Sequence, residues 1–193
     1  MRPQITIKTS YPLQEKILDT DTDEETMADL RETRDALIDR FADTARVLDH
    51  MEDISGLAYQ EFQVSAWVYN GGDAPIASPI LIPARDDTEI MYFELLYMMS
   101  KELIYQNLRD LEQHEMLEPG YEALDVTAGL IAYRSLARIE DNNHVDSLLD
   151  NSIFGGDQLK TWRKVQDHAE DWDPAKETLL EYLGIEITAD EDA

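Results

Sequence analysis

The chain has 193 residues, enough for one domain with a real core or one domain plus an extension, and too few for two full domains. It carries 42 acidic and 16 basic residues, a formal charge of −26, and no cysteine, which excludes disulfides, thiol catalysis and cysteine-held zinc or iron–sulfur sites. Residues 1–10 lack the apolar stretch of a signal peptide, and no run approaches the ~18 apolar residues of a spanning helix, so an aqueous compartment is expected and a membrane partner is not.

Residues 4–9, QITIKT, alternate apolar and polar, with Ile5 and Ile7 on one side, and predict a short strand or extended arm that Tyr11-Pro12 ends. The stretch 18–30, LDTDTDEETMADL, raises the question of a calcium loop. An EF-hand starting at Asp19 needs glycine at its sixth place and glutamate at its twelfth, where Glu24 and Leu30 stand. Thr22 with Glu25 fits a capping box instead, and Asp23, Glu24 and Glu25 suit the positive end of a helix dipole. From Asp23 to about Ile54 a narrow stripe of Met27, Leu30, Leu37, Phe41, Leu48 and Met51 predicts one long helix, with Arg34 and Thr44 interrupting the seam.

Residues 61–69, EFQVSAWVY, place Phe62, Val64, Ala66 and Val68 on one face and Trp67 and Tyr69 on the other. Asn70-Gly71-Gly72-Asp73 is a turn signal and 76–82, IASPILI, a return strand, which together predict a β-hairpin; Pro75, Pro79 and Pro83 make that second strand an edge. Asp86, Asp87 and Thr88 then start a helix over 86–117 whose stretch from Ile90 to Met99 is apolar on nearly all sides except at Glu94. A helix follows from Tyr121 to about Ile139, with Leu124, Ala128, Ile131, Leu136 and Ile139 inward, then a turn at Asp141-Asn142-Asn143 and helices over 144–151, 157–171 and 174–183. The expected fold is α-rich α+β: a helical bundle with a protruding β-hairpin and extended termini. It divides into an N-terminal arm over 1–22, a helical domain over 23–184 with the hairpin at 61–82, and an acidic tail over 185–193.

No catalytic grouping emerges. Glu94 in its apolar run has the setting of a general acid or base, or of half an ion pair with Arg134 or Arg138. His50, His114 and His168 lack the Glu-x-x-His spacing of di-iron bundles, and His144 has only Asp141 at that interval, so no metal or cofactor is expected. Gly71-Gly72 and Gly155-Gly156 match no phosphate loop. Arg134, Arg138, Lys160, Arg163 and Lys164, with Trp162 among them, form a basic cluster suited to salt bridges between subunits or to weak nucleic-acid contact. Met91, Tyr97, Met98 and Tyr105 on the central helix, Trp67 and Tyr69 on the hairpin, and Ile5 and Ile7 in the arm are the candidate protein-interface residues.

The acids divide into 23 Asp and 19 Glu and the bases into 10 Arg and 6 Lys, dispersed along the chain. This Asp-rich, Lys-poor balance resembles that of haloarchaeal proteins. Spread over the roughly 9,400 Å² of surface that the area law gives, neighbouring carboxylates sit about 15 Å apart; their repulsion is partly screened over the ~8 Å Debye length of physiological salt and nearly removed over the ~3 Å of molar salt. A DNA mimic is the competing reading of the charge, and the interleaved bases count against it. The helices at 23–54, 86–117 and 121–140 with the hairpin at 61–82 resemble head-to-tail connector or adaptor proteins of tailed viruses, here of a halophilic host. That resemblance implies a non-enzymatic structural subunit in a virion or host cytoplasm, partnered by copies of itself and neighbouring assembly proteins, with DNA passing an acidic channel without tight binding. A soluble protein-binding regulator and an unrecognised enzyme stand as the alternatives.

Overall fold

The computed structural model describes residues 3–16, 22–44, 46–71, 75–76, 79–107, 122–151, 167 and 170–182. The chain runs β1 (Gln4–Lys8), α1 (Tyr11–Lys16), α2 (Glu24–Asp43), α3 (Val47–Ser55), β2 (Gln63–Tyr69), β3 (Ile80–Pro83), α4 (Thr88–Gln106), α5 (Glu122–Leu136), α6 (Asn142–Asn151) and the short α7 (Leu179–Tyr182). The fold is α-rich α+β. Its strands form one sheet in the order β1-β2-β3, parallel throughout, with Ile5 opposite Val64, Ala66 opposite Ile80 and Val68 opposite Ile82.

The sheet replaces the expected hairpin. After Tyr69 the chain turns at Gly71, whose φ of 107° suits glycine. It reverses again between Ile76 and Leu81, which exchange two backbone hydrogen bonds of 2.9 Å as an isolated antiparallel bridge. The second reversal sends β3 off parallel to β2, and among the described strands β3 lies at an edge of the sheet, a place that suits Pro83. Phe62 lies outside the alternation, since β2 starts at Gln63, and it is 66 % exposed. Residues 4–16 are likewise no extended arm. β1 belongs to the sheet and α1 follows at once, with Ser10 Oγ accepting from the Leu13 N–H and Pro12 sitting in the first turn, where its missing donor costs nothing.

α4 is the centre of the core. Every residue from Met91 to Ser100 is buried, and each apolar side chain of this size contributes roughly 1.5–3 kcal/mol by leaving water. Around it pack α2, α5, α6 and β3, while Ile7, Val64, Ala66, Val68, Ile80 and Ile82 face the same cluster from the sheet. The α2 stripe is consumed here: Met27, Leu30 and Leu37 are buried and Phe41 packs against the cluster. A smaller cluster of Leu13, Tyr69 and Leu81, with Trp67 against it, lies apart from the main one and joins α1 to the sheet's outer face.

The predicted long helix is two. α2 ends at Asp43, and the Thr44 N–H turns back to the Phe41 carbonyl while its hydroxyl donates to the Arg40 carbonyl, a local bond that competes with helix continuation. The cap at the start of α2 is Asp23, which accepts from the Thr26 N–H at 2.8 Å, in place of Thr22. Thr22 is buried and its carbonyl accepts the Tyr11 hydroxyl, which anchors α1 to the α2 entrance. α3 ends at Ser55, one residue past the expected end near Ile54, and Gly56, with a φ of 78°, forms the left-handed cap. α6 begins at Asn142, two residues before the predicted start, because the Asp141 side chain accepts from the Asn143 N–H. The expected helix ends at Pro119-Gly120 and Gly155-Gly156, most of the helix over 157–171, and the acidic tail lie outside the described residues.

Two buried tyrosines set an alkaline limit on this core. Burial raises the Tyr59 phenol well above its ordinary value, and its hydroxyl donates to the Met99 carbonyl at 3.1 Å; burial and the Asp125 carboxylate raise Tyr97 in the same direction. The unfolded chain loses these protons from about pH 10 while the folded chain keeps them, so their contribution is intact below pH 10 and falls above it by up to ~1.4 kcal/mol per pH unit for each tyrosine. Denaturant titrations between pH 9 and 11 should show a shallower loss of stability in Tyr59→Phe than in the parent; parallel slopes would refute this account.

Candidate functional site

Two polar constellations are built into the otherwise apolar packing. The first is at the carboxyl ends of β2 and β3. Glu94 is fully buried on α4, and Arg85, in the segment joining β3 to α4, donates Nη2 to its Oε1 at 2.8 Å and Nε to both carboxylate oxygens at 3.1 Å. The ion-pair expectation for Glu94 therefore holds in kind with a different partner. Arg134 and Arg138, proposed for that role, donate Nη2 to the Trp172 and Pro174 carbonyls and hold the 170–182 segment on the body. Beside Arg85 lies a cleft of about 280 Å³ lined by Thr26, Asp29 and Thr33 of α2 together with Asn70, Ala84 and Asp86. The crevice outside the carboxyl ends of parallel strands is where open sheets of this kind bind ligands. Here the guanidinium that lines it is already bonded to Glu94, and two acids flank it.

The second constellation gathers four elements around Arg40 of α2. Its Nε donates to both oxygens of Glu89 on α4, at 2.7 and 3.0 Å, and its Nη2 donates to Oε1 of Glu140, just past α5. Its guanidinium carbon stands 4.2 Å from the ring centre of Tyr92, and the Tyr92 hydroxyl pairs with Thr44 Oγ1. Burial, only partly offset by the Thr44 bond and the Arg40 charge, pushes the Tyr92 phenol up to about 12. Burial works against the Arg40 charge as well, and the bonds to Glu89 and Glu140 outweigh it, so its pKa is raised. On α6, His144 Nε2 approaches Glu140 Oε2 at 3.2 Å and Glu89 Oε2 at 3.6 Å. Glu89, Glu140 and His144 are the grouping of potential metal ligands found among the described residues.

The candidate interface residues scatter. Met91, Tyr97 and Met98 are sealed in the chain's own core, which corrects their reading as a subunit face: α4 is apolar all round because its own chain surrounds it. Tyr97 donates its hydroxyl to Asp125 of α5 at 2.8 Å, and Lys101 pairs with the same carboxylate at 2.5 Å. Tyr69 is buried in the small outer cluster, Ile7 in the main one, and Ile5, Trp67 and Tyr105 are half-buried. Of the basic cluster, Arg134 and Arg138 are described, while Lys160, Trp162, Arg163 and Lys164 lie outside the described residues. Sequence reasoning missed the Arg40 grouping. Its one local signal is Glu140 four residues before His144, a spacing that brings two side chains together in a helix; Arg40 and Glu89 are too remote in sequence to announce themselves. No helix among the described residues is long and apolar enough to cross a membrane. Comparison with protein-family models, curated proteins and solved structures finds no match to this chain.

The Arg85–Glu94 pair yields a direct test. Arg85→Ala leaves a carboxylate uncompensated in the core and should lower stability by roughly 3–5 kcal/mol in denaturant unfolding, while Arg85→Met with Glu94→Leu should regain most of it. An Arg85→Ala protein as stable as the parent would show that Glu94 takes its charge balance from elsewhere.

Proposed function

We propose that the protein is a non-enzymatic structural subunit of a salt-adapted system, a cell or its virus, that assembles with copies of itself through the β1 segment. The observation that carries this reading is the position of β1. Among the described residues β1 pairs with β2 alone, and its other side is an open sheet edge among them. The Gln4 N–H donates to the Phe62 carbonyl at 2.8 Å, and by alternation the backbone groups of Ile5 and Ile7 point outward. Phe62, at the same end of the strand, exposes more of its surface than the other large apolar side chains described. β3 offers no equivalent edge, because Ile76 occupies its outer side at Leu81.

Charge supports a second copy as the occupant. Residues 1–16 hold three of the sixteen bases and one of the 42 acids, so the open edge belongs to a positively balanced segment of a strongly acidic chain. Such a segment is complementary to the acidic exterior of the next copy, which makes the contact head-to-tail. Contacts of that type close into rings or continue as filaments, in keeping with the likeness to connector proteins. In molar salt the charge term is screened, and the open backbone groups and Phe62 carry the contact.

Light scattering of the purified chain in molar KCl should give an oligomer. Ile5→Pro removes an outward N–H and should dissociate it, while Ile5→Ala, which keeps that N–H and makes the same loss from the half-buried side chain, should leave the oligomer largely intact. A parent that is monomeric at every concentration ends the assembly reading.

A further inference from the structure

We infer that Glu89, Glu140 and His144 form a binding site for a first-row divalent metal ion such as Zn²⁺, with Arg40 as the residue that orients the two carboxylates. Around a tetrahedral zinc with bonds of about 2.0–2.2 Å, neighbouring ligand atoms lie roughly 3.3–3.5 Å apart. His144 Nε2 stands 3.2 Å from Glu140 Oε2 and 3.6 Å from Glu89 Oε2, which brackets that separation, and the three side chains' ligand atoms all lie within 4.8 Å of one another. One imidazole with two carboxylates is a donor set suited to zinc and its neighbours rather than to calcium, which takes six to eight oxygens.

Arg40 does not fill the site, because of how it is placed. It takes Oε1 of Glu140 through Nη2 and reaches Glu89 through Nε, at 2.7 Å to Oε1 and 3.0 Å to Oε2, while Oε2 of each carboxylate is the oxygen that approaches His144. Ligating carboxylates are ordinarily held by such outer hydrogen bonds, and those bonds contribute to metal affinity. The guanidinium is fixed in turn by the Tyr92 ring beneath it and by Thr44 Oγ1, which accepts from Nη1 at 3.5 Å. Two carboxylates against one guanidinium leave one negative charge for an incoming cation. The three ligands sit on α4, in the 137–141 segment after α5 and on α6, so a bound ion would tie α4 to the α5–α6 junction. His144 keeps 41 % of its side-chain surface exposed, which gives the ion an approach from solvent and a fourth position for water. This site is independent of the assembly reading.

The alternative for the same geometry is a protonated His144 bridging two carboxylates with no metal role. Zn²⁺ titrated calorimetrically into the full chain, in KCl to suppress diffuse binding by surface acids, decides between them. The expected result is one saturable equivalent whose affinity falls about 100-fold or more in His144→Ala and about 10–100-fold in Arg40→Lys, the range for loss of an outer-shell partner. Co²⁺ in the parent should show the d–d absorption of a low-coordinate site and lose it in His144→Ala. Should the variants fail to fold, imidazole NMR of the parent still decides: the His144 signals should respond to the first equivalent of Zn²⁺ ahead of those of His50, His114 and His168. An unchanged affinity in folded His144→Ala, a first response at another histidine, or the absence of a saturable equivalent would each overturn the site.

Discussion

The fold depends on the complete burial of α4. A helix covered on every side must be enclosed by other elements, and here the sheet, α2, α5 and α6 share that work. The polar side chains that α4 carries into this enclosure therefore find their partners inside it. Glu94 could not remain ionised at the centre without a counter-charge, and Arg85 reaches it from the segment just before α4. Ser100 returns its hydroxyl to the Leu96 carbonyl, and the Tyr97 phenol ends on Asp125. The apolar run thus does more than fill volume: it fixes where the few interior polar groups find partners, and so which helices must lie side by side.

The sequence made the helices legible wherever apolar spacing and caps coincide. α4 declared itself through an apolar run behind Asp87 interrupted only at Glu94, and α5 through Leu124, Ala128, Ile131 and Leu136. What stayed hidden is non-local. The alternation of QITIK identifies a strand without naming its partner, and a parallel partner nearly sixty residues away leaves no local trace. The turn signal at Asn70-Gly71 is genuine, yet one turn cannot tell whether a second reversal follows, and the Ile76–Leu81 bridge is that second reversal. Thr44 stood out as a break in the α2 seam, and only the fold shows why: its hydroxyl serves the Arg40 carbonyl and Tyr92 in place of a continuing helix. Glu94 was recognisable as a group needing a counter-charge, while the supplier, nine residues earlier across a helix cap, was not.

The same distinction governs the polar sites. Interface residues chosen for being large and apolar on α4 belong to the core, because size and apolarity report burial without saying against whose atoms. The Arg40 grouping draws on α2, α4, α6 and Glu140 in the segment between α5 and α6, and three of its four members look like ordinary surface charges until the helices are assembled.

Cations are scarce in this chain, and their use is informative. Arg40 and Arg85 cross between elements to carboxylates, Lys101 joins α4 to α5, and Arg134 and Arg138 hold backbone carbonyls of the 170–182 segment. Lys8 spans β1 and β2, with its ammonium 5.5 Å from the Trp67 ring centre and donating to Ser65 Oγ. Bases committed in this way do little to relieve repulsion among exterior acids, so that relief falls to counterions. Salt then acts on two populations differently: it screens the solvated carboxylates within a few ångströms, while the partly buried pairs, held by direct hydrogen bonds, are screened much less. Screening of this kind weakens repulsion between exposed acids more than it weakens the hydrogen-bonded links between helices.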